Sequence, residues 1–374
     1  MLVHFSAKNF KQFDSVELDF TNVREYCFNT ENLTENKKLL KTMLIYGENA
    51  SGKSNFGFAL FDIVNHLTDK QKFPRGYQSY LNADNHEKPA EFSYTFLFNE
   101  RKITYQYKKT DAVTLISESL IVDDDIIFSW DSLKEEDNFK NLENFGLDTL
   151  NNVFWGKKNR TSFLRYAANN ALDLEKSSLI IKIVEFVGAM LWFRRADDAN
   201  NFIGLLQFPE NIEKYIISED MVSRFQEFLH VNGVNEDLVV MQRPDGVKGI
   251  YFKHKQLLPV FEQFGVASSG TYALSIQFYW MNFFKDARFV FIDEFDAFYH
   301  HEVAENIFRE LQKLPIQSIV TTHNTGLLNN RLTRPDCCLV IQKGKLMSFA
   351  DRTNREIREG NNLEKLYKAG EFND

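Results

Sequence analysis

A stretch near the start of the chain reads Gly47-Glu48-Asn49-Ala50-Ser51-Gly52-Lys53-Ser54. This is the Gly-x4-Gly-Lys-Ser/Thr pattern of a P-loop, in which glycines let the backbone wrap closely around phosphate oxygens. The mostly apolar Thr42–Tyr46 before it predicts a buried strand, and Asn55–Leu67 after it carries apolar residues at helical spacing. Strand, glycine loop and helix are the context that the motif requires, so the stretch predicts a phosphate-binding loop in an α/β fold.

The residue types in this loop suit a nucleoside triphosphate and its magnesium ion. Lys53 is expected to reach the β- and γ-phosphates, and Ser54 is expected to ligate Mg²⁺. The free N–H groups and the positive dipole end of the following helix attract the same anion. We therefore predict ATP and Mg²⁺ as cofactors. The predicted nucleotide-binding residues of the loop are Gly47, Asn49, Ala50, Ser51, Gly52, Lys53, Ser54 and Asn55.

The composition of the 374-residue chain restricts its class. Apolar residues make up 44%, enough for a large core, and the length allows two or three domains or one core with a large insertion. No apolar run approaches the roughly 18–20 residues of a membrane span, and the N-terminus lacks the features of a signal peptide. Three cysteines show neither disulfide nor metal spacing. We therefore expect a cytoplasmic protein without a membrane partner.

The charge of the chain bears on its partners. A formal charge of −8 argues against a globally basic DNA-binding surface, but it is compatible with a local basic patch or cleft. DNA therefore stays open as a partner.

Strand patterns lie on both sides of the P-loop. Residues of alternating polarity predict a hairpin that turns at Asn9–Phe13, followed later by a second antiparallel set. Asp123–Asp125 separates two of these strands, and a polar hairpin turn explains it better than a metal site. The strands are predicted within Leu2–Phe20, Glu91–Phe98, Ile103–Tyr107, Leu115–Val122 and Ile126–Trp130.

The middle of the chain differs in character. From about Asp131 to Val240, charged and asparagine-rich linkers alternate with helical patterns at Leu179–Trp192 and Met221–Leu229. No heptad repeat is sustained, so a long coiled coil is not expected. We interpret 131–240 as a helical insertion lobe between two halves of one nucleotide-binding head, 1–130 and 241–374. A strand pair, Leu238–Met241 and Gly249–Phe252, leads back into the second half.

The second half carries the partner motif of a P-loop. Arg288–Ile292 is a short apolar strand followed by Asp293 and Glu294, the Walker B pattern. Such a strand delivers Asp293 to the Mg²⁺ shell and places Glu294 to orient and deprotonate the water that attacks the γ-phosphate. A further strand, Gln317–Thr322, ends at His323. That histidine is expected to contact the γ-phosphate; the alternative is a structural hydrogen bond at a strand end.

Between the insertion and Walker B, Ala267–Thr271 reads Ala-Ser-Ser-Gly-Thr at the start of a predicted helix. The order of P-loop, Ser-x-Gly-Thr, Walker B and Thr-His resembles the ABC-type ATPase head shared by the SMC and OLD families. The resemblance implies an α/β P-loop NTPase fold with an antiparallel β subdomain and a helical insertion. It also implies an ATPase that closes as a head-to-head homodimer, in which Ser268 and Gly270 bind the γ-phosphate of the partner subunit's ATP. The catalytic residues that it implies are Lys53, Glu294 and His323.

The chain is more closely similar to AAA-family ATP-binding proteins of prokaryotic abortive-infection and anti-phage systems. This resemblance implies a switch that gates a separately encoded effector, a nuclease or a toxin. Since the sequence ends soon after the last head strands, we expect it to lack the Toprim nuclease domain of OLD proteins. The stretches that carry the resemblance are Asn9–Phe13, Asn159–Asn170, Phe291–His300, Arg334–Asp336 and Asn362–Phe372.

Some assignments leave alternatives open. ABC-type heads supply a glutamine to the metal, and Gln106 is the best-placed candidate, although an ordinary strand glutamine explains it equally well. The main competing function is an SMC- or OLD-like ATPase that acts directly on DNA in repair or chromosome maintenance. A transporter subunit fits poorly because the stretch between Ser54 and Ser268 is far longer than a transporter head needs.

Overall fold

The structure is a computed structural model that describes residues 1–134, 136–139, 142–145, 147, 150, 161–170, 178–194, 200–261, 265–298 and 300–372. Within these ranges the chain forms two seven-stranded sheets and a three-stranded sheet, with helices packed between and around them.

The P-loop and Walker B motifs belong to a central, mainly parallel sheet. Its strands are β3 (Thr42–Tyr46), β9 (Met190–Arg194), β10 (Asn201–Gly204), β14 (Phe289–Asp293), β15 (Gln317–Thr321), β16 (Cys338–Gln342) and β17 (Lys345–Ser348). They lie in the order β10-β9-β14-β15-β3-β16-β17. The pairs from β9 to β16 are parallel, and an antiparallel strand closes each edge.

The second sheet is wholly antiparallel, in the order β2-β1-β4-β5-β6-β7-β8. It confirms both predicted hairpins. Asp123 and Asp124 have φ of 47° and 74°, as expected for a polar turn between two of the strands. The strands are β1 (Leu2–Phe10), β2 (Phe13–Asp19), β4 (Ala90–Phe98), β5 (Arg101–Lys109), β6 (Leu115–Val122), β7 (Asp125–Asp131) and β8 (Glu136–Phe139).

Helices and short elements complete the fold. The helices are α1 (Lys53–Leu67), α2 (Phe163–Asn170), α3 (Leu179–Gly188), α4 (Ile212–Ser218), α5 (Val222–Val231), α6 (Ser269–Met281), α7 (His301–Lys313) and α8 (Leu363–Lys368). A small sheet holds β11 (Leu238–Gln242), β12 (Lys248–Phe252) and β13 (Leu258–Pro259), which includes the predicted strand pair. None of the helices in the described ranges is long and apolar enough to span a bilayer.

Two hydrophobic cores cover the two faces of the central sheet. Phe289 and Phe291 of β14 point into a core shared with α1 and the antiparallel sheet, whereas Val290 and Ile292 point into a core with α6 and α7. All five residues of β14 are therefore buried, as are those of β3 and β15. Burial on both faces explains why these strands read as continuous apolar runs.

The middle of the chain holds strands as well as the expected helices. The helix predicted over Leu179–Trp192 ends at Gly188, and Met190–Arg194 is strand β9 of the central sheet. Its Leu-Trp-Phe core is buried beside β14, and a short apolar run does not by its periodicity distinguish a strand from a buried helix. A purely helical 131–240 segment is therefore wrong for β8, β9 and β10. The boundaries of a separate lobe stay a prediction.

A buried carboxylate ties the antiparallel sheet to α2. Glu118 of β6 accepts hydrogen bonds from the Tyr105 hydroxyl (2.8 Å), the Trp130 indole (3.0 Å) and the Ser162 hydroxyl (2.6 Å). Its oxygens also accept from the backbone N–H groups of Phe163 (2.6 Å) and Leu164 (3.0 Å), the first residues of α2. The carboxylate thus satisfies donors that a helix start leaves unpaired.

One stretch that carries the family resemblance is structural. Arg334 and Asp336 form a fully buried ion pair of 2.7 Å. Arg334 also donates to the backbone oxygen of Arg24 (2.6 Å), and Asp336 accepts from the backbone N–H of Arg24 (2.8 Å). This pair fastens the segment after the antiparallel hairpin to the end of the central sheet.

Candidate functional site

The P-loop lies at the carboxyl end of β3, between that strand and α1. Gly52 has φ of +109°, and a Cβ built there would lie 2.3 Å from Nε2 of Gln12. A Cβ on Gly47 would lie 2.4 Å from the Ser51 hydroxyl. Position 52 therefore needs glycine for its left-handed backbone, and a Cβ at either position would also displace the side chain beside it, Gln12 or Ser51. The α1 helix begins at Lys53, as the motif predicts.

The Lys53 side chain spans its own loop. Its ammonium donates to the backbone oxygens of Gly47 (2.7 Å) and Glu48 (2.9 Å). Burial lowers the pKa of this amine, and the nearby Asp293, Glu294 and Asp296 carboxylates oppose that change. The ammonium thus binds backbone carbonyls of its own loop. A phosphate oxygen can replace these carbonyls, because a charged acceptor binds an ammonium more strongly than a carbonyl does.

Strand β14 delivers Asp293 to the same edge, where it is fully buried. The Thr321 hydroxyl donates to its Oδ1 (2.8 Å). Burial raises the pKa of Asp293, and the Ser54 and Thr321 hydroxyls and Arg194 oppose the rise. Oδ2 of Asp293 accepts no hydrogen bond from any residue of the described ranges.

This oxygen is the observation that fits a metal ion. A buried carboxylate oxygen without a donor, near a serine hydroxyl and a phosphate-binding loop, is the hard oxygen ligand set that Mg²⁺ takes. Ser54 and Asp293 are therefore the residues of this chain that would hold Mg²⁺ with the phosphates of a nucleotide.

Glu294, the next residue, occupies a left-handed backbone conformation with φ of +51°. Its N–H donates to the Thr321 hydroxyl (2.9 Å), so one threonine fixes both acidic residues. Its carboxylate accepts a hydrogen bond from the Arg194 guanidinium. A left-handed non-glycine residue costs about 1–3 kcal/mol, and such strain concentrates at functional sites. Asp293 and Glu294 are called the acidic pair below.

Lys53, Glu294 and His323 meet in one cavity of about 290 Å³, the P-loop cavity. His323 follows β15, as expected, and burial together with Lys53 lowers the pKa of its imidazole. That direction favours the neutral ring near neutral pH, which can donate from one nitrogen and accept at the other. The described lining residues are Gln12, Asn49, Ala50, Ser51, Gly52, Lys53, Ser54, Asn55, Glu294 and His323.

Ser268 and Gly270 lie outside the described lining of this cavity. Ser268 is the N-cap of α6, where its hydroxyl accepts from the N–H of Thr271 (3.1 Å). Gly270 packs against the segment after Walker B, since a Cβ there would lie 3.2 Å from the backbone oxygen of Phe298. Neither residue lines the P-loop cavity of its own chain within the described ranges, and their predicted contact with the γ-phosphate of a partner subunit stays a prediction.

Gln106, the predicted metal-binding glutamine, is not brought to the site. It lies in the middle of β5, and its amide donates to the Ser93 hydroxyl across the strand pair (3.3 Å). It lines a groove on the antiparallel sheet with Ser6, Ser119 and Ser129. The alternative of an ordinary strand glutamine describes this position. Gln106 pairs in register with Ser93 and Ser119 inside the sheet, and it is not among the described lining residues of the P-loop cavity.

Two residues of the site escaped the sequence analysis. Gln12, from the turn between β1 and β2, donates to the backbone oxygen of Ser51 (2.8 Å) and accepts from the Asn55 amide. Arg194 ends β9, where it stands in register with Asp293 of β14. No local motif marks either residue, and the helix predicted over Leu179–Trp192 overlaps most of β9, the strand that Arg194 ends.

No curated protein matches the chain. Three solved structures are similar in outline: the Smc head with an extended coiled coil from Pyrococcus furiosus (14% identity, TM-score 0.45, covering 98% of each chain), RecF of the RecFOR pathway (14%, 0.42, covering 93% of this chain and 98% of that one), and the SMC head domain from Thermotoga maritima (14%, 0.39, covering 93% and 97%). At these values the fold assignment rests on the strand order and the P-loop described above.

A family model described as "AAA domain, putative AbiEii toxin, Type IV TA system" matches residues 43–329. That range contains the P-loop, the start of α6, the acidic pair and His323. It covers well over half of the chain, so the protein is a P-loop ATPase-type domain and belongs to this AAA family.

Proposed function

We propose that the protein binds and hydrolyses ATP with Mg²⁺ and acts as the molecular switch of a prokaryotic anti-phage or abortive-infection system. The observation that carries the hydrolytic part is the joint placement of Lys53, Glu294 and His323 in the P-loop cavity, together with the neighbouring Asp293, whose Oδ2 accepts no hydrogen bond within the described ranges. The AAA family to which the chain belongs supports the defence setting.

The residues divide the chemistry among them. Lys53 and the N–H groups of the loop bind the phosphates, and Ser54 with Asp293 holds the metal ion. When bound, Mg²⁺ supplies a charge that stabilises the phosphoryl group during transfer. Glu294 orients the attacking water and accepts its proton, and His323 donates a hydrogen bond to the γ-phosphate. Thr321 keeps both acidic residues in place through its hydroxyl.

ATP binding also closes a homodimer in this proposal. Ser268 and Gly270 of one subunit complete the P-loop cavity of the other, which accounts for their position outside their own cavity. Two exposed apolar side chains beside the start of α6 support an interface there: Val266 is 48% and Phe298 39% exposed. Apolar side chains next to polar ligand-binding residues are typical of an association surface.

The closed dimer gates a separately encoded effector in the cytoplasm, a nuclease or a toxin. We place partner recognition on 131–240, because that range separates the two motif-bearing halves. Its helices α4 and α5 present charged residues such as Lys214, Arg224 and Glu227 at the surface. A range without catalytic residues can transmit closure of the heads to a partner without changing the catalytic site.

Nucleotide binding and hydrolysis are tested with two variants. Lys53→Ala should abolish productive ATP binding, since the phosphates lose their charged partner. Glu294→Gln should bind ATP normally and hydrolyse it about 10²–10⁴-fold more slowly, the usual contribution of a general base. Equilibrium binding of a fluorescent ATP analogue and phosphate release measure the two effects. Hydrolysis by Glu294→Gln at the wild-type rate would contradict the role of Glu294.

Dimerisation is tested by Ser268→Arg, with Ser218→Arg at the exposed end of α4 as the matched control. Light scattering after size exclusion should show an ATP-dependent dimer for the control and a monomer for Ser268→Arg, both with intact ATP binding. An ATP-dependent dimer of Ser268→Arg that hydrolyses normally would place the interface elsewhere.

Effector recognition is tested by Arg224→Glu and Glu227→Lys on α5. Each variant should retain ATP hydrolysis and lose capture of the product of a neighbouring nuclease or toxin gene in a pull-down. If a broad set of such reversals never separates the two activities, the partner interface lies outside this range, and binding of DNA fragments by the same proteins would favour the DNA-acting alternative.

A further inference from the structure

Arg194 faces both members of the acidic pair. It is the last residue of β9 and stands opposite Asp293 in the parallel pairing of β9 with β14. One nitrogen of its guanidinium, Nη2, donates to Oε1 of Glu294. Another, Nε, lies 3.9 Å from Oδ2 of Asp293, the oxygen that accepts no hydrogen bond within the described ranges. One cation therefore spans the two carboxylates proposed to hold the metal and the water.

This contact follows from the charge of the site. Two adjacent carboxylates, one fully buried, repel each other in a medium that screens weakly, so a nearby cation stabilises them. The Lys53 ammonium instead donates to the P-loop carbonyls. The planar guanidinium of Arg194 has enough donors to face both acids at once, which a lysine ammonium does less well.

The Arg194–Glu294 ion pair is partly exposed to solvent. The Arg194 and Glu294 side chains are 31% and 27% exposed, so they can separate without unpacking a core. By contrast, both side chains of the Lys109–Asp62 ion pair between β5 and α1 are fully buried, so that pair cannot separate without unpacking its surroundings. The Thr321 hydroxyl fixes the backbone of Glu294. Glu294 can therefore leave Arg194 by rotation about its side-chain torsions alone.

We propose that Arg194 is a positioning residue that competes with bound nucleotide and its cation for Glu294. While the guanidinium bonds to Oε1, that carboxylate is engaged and is not available to accept a proton from water. Binding of ATP with Mg²⁺ brings a second cation to the acidic pair and phosphate oxygens that attract the guanidinium, so Glu294 is released when substrate is present. The inference rests on the proposed ATP hydrolysis. It adds that Arg194 keeps Glu294 from acting as a base while no substrate is bound.

The test is a double-mutant cycle of Arg194→Gln and Glu294→Gln, measured by urea unfolding in two conditions. Without nucleotide, in EDTA, the two changes should be non-additive, with a coupling of about 2- to 10-fold in the unfolding equilibrium constant, as for a partly exposed ion pair. With saturating Mg²⁺ and a non-hydrolysable ATP analogue, the coupling should fall below about 2-fold, within the ordinary error of additivity. Neither measurement depends on turnover.

The control cycle uses Arg309→Gln and Glu305→Gln, an ion pair of 2.6 Å on the surface of α7, whose coupling should not change with nucleotide. Arg194→Lys serves as the conservative variant if Arg194→Gln folds poorly, and it should keep part of the coupling. Equal coupling of Arg194 and Glu294 in both conditions, with nucleotide binding demonstrated, would overturn the inference and leave the proposed ATPase function intact. Lack of any nucleotide binding by the wild type would overturn both.

Discussion

Two buried carboxylates, one in each large sheet, are treated in opposite ways by the fold. Glu118 of the antiparallel sheet is 2% exposed and accepts five hydrogen bonds, shared between its two oxygens. Asp293 of the central sheet is fully buried, and its Oδ2 accepts none within the described ranges. Burial raises the pKa of both groups.

We infer that the difference separates a structural acid, Glu118, from the proposed metal ligand, Asp293. A buried charge with all its lone pairs occupied holds its neighbours in place, and Glu118 does this for the start of α2. A buried acceptor without a donor costs about 1–3 kcal/mol of stability. Such a cost is typical of ligand-binding positions, where the missing partner is the ligand. Replacing each acid in turn should therefore give opposite results.

The largest effect is expected for Asp293→Asn. The amide is a weaker metal ligand than the carboxylate, and the loss of several kcal/mol of metal-assisted catalysis corresponds to a fall of about three orders of magnitude in ATP hydrolysis. The unfolding midpoint should stay equal to that of the wild type or rise. Phosphate release and thermal unfolding measure the two properties, with the exposed Asp286→Asn as control. Hydrolysis near the wild-type rate would remove Asp293 from the metal site.

Glu118→Ala should show the reverse pattern. The change leaves several donors near α2 without an acceptor, so the free energy of unfolding should fall by at least about 3 kcal/mol. ATP affinity per folded molecule should be unchanged, because Glu118 lies outside the P-loop cavity. Urea unfolding and fluorescent-nucleotide binding test this, with Asp125→Ala at the exposed start of β7 as control. A stable Glu118→Ala that binds ATP weakly would erase the contrast between the two acids.

The pH dependence of stability sharpens the comparison further. Since the pKa of Asp293 in the folded chain is raised above its ordinary value of 3.8, the folded state binds more protons than the unfolded state between the two pKa values. Its contribution to stability is therefore present below about pH 3.8 and is lost as pH rises through the folded-state pKa. Asp293→Asn has no carboxyl group at this position, so it does not lose this stability as pH rises. Its stability relative to wild type should grow from pH 4 towards neutral pH in urea titrations, and a constant difference would contradict the shift.

The smallest effect concerns two glutamines, one in contact with the P-loop and one inside the antiparallel sheet. Gln12→Ala removes a hydrogen bond to the backbone of Ser51 and one from Asn55, so ATP affinity should fall about 2- to 10-fold, as for one ordinary hydrogen bond. Gln106→Ala, in the antiparallel sheet, is the matched control and should bind ATP as the wild type does. Equal losses for the two variants would mean that Gln12 does not order the loop.

The sequence predicted the parts of the site that depend on local pattern. The strand Thr42–Tyr46 agrees with β3 at both ends, and the Walker B strand agrees with β14 to within one residue. These predictions succeed because a P-loop needs glycine at fixed positions and a parallel strand needs apolar residues on both faces. The placement of Lys53, Asp293, Glu294 and His323 followed from the same patterns.

The errors came from residues whose role depends on distant neighbours. Leu191, Trp192 and Phe193 suit a helix or a strand equally well, and their pairing with β14 decided between the two. For Gln106 the sequence leaves a metal ligand and an ordinary strand glutamine equally open, because local pattern does not report a residue's place in a sheet. The glutamine that does contact the P-loop, Gln12, comes from a hairpin turn that local pattern marks only as a turn.

Runs of adjacent residues thus suffice to assign the class of the protein: a nucleotide-binding loop, a buried acidic strand and a histidine at the end of the next strand. Which charged side chains meet depends instead on how separate elements pack. Arg194 faces Asp293 and Glu294 because β9 lies beside β14, and Glu118 is satisfied because α2 begins beneath β6. The physical reason is that a motif fixes backbone geometry over a few residues, whereas the electrostatic balance of a buried carboxylate depends on side chains brought together from separate elements.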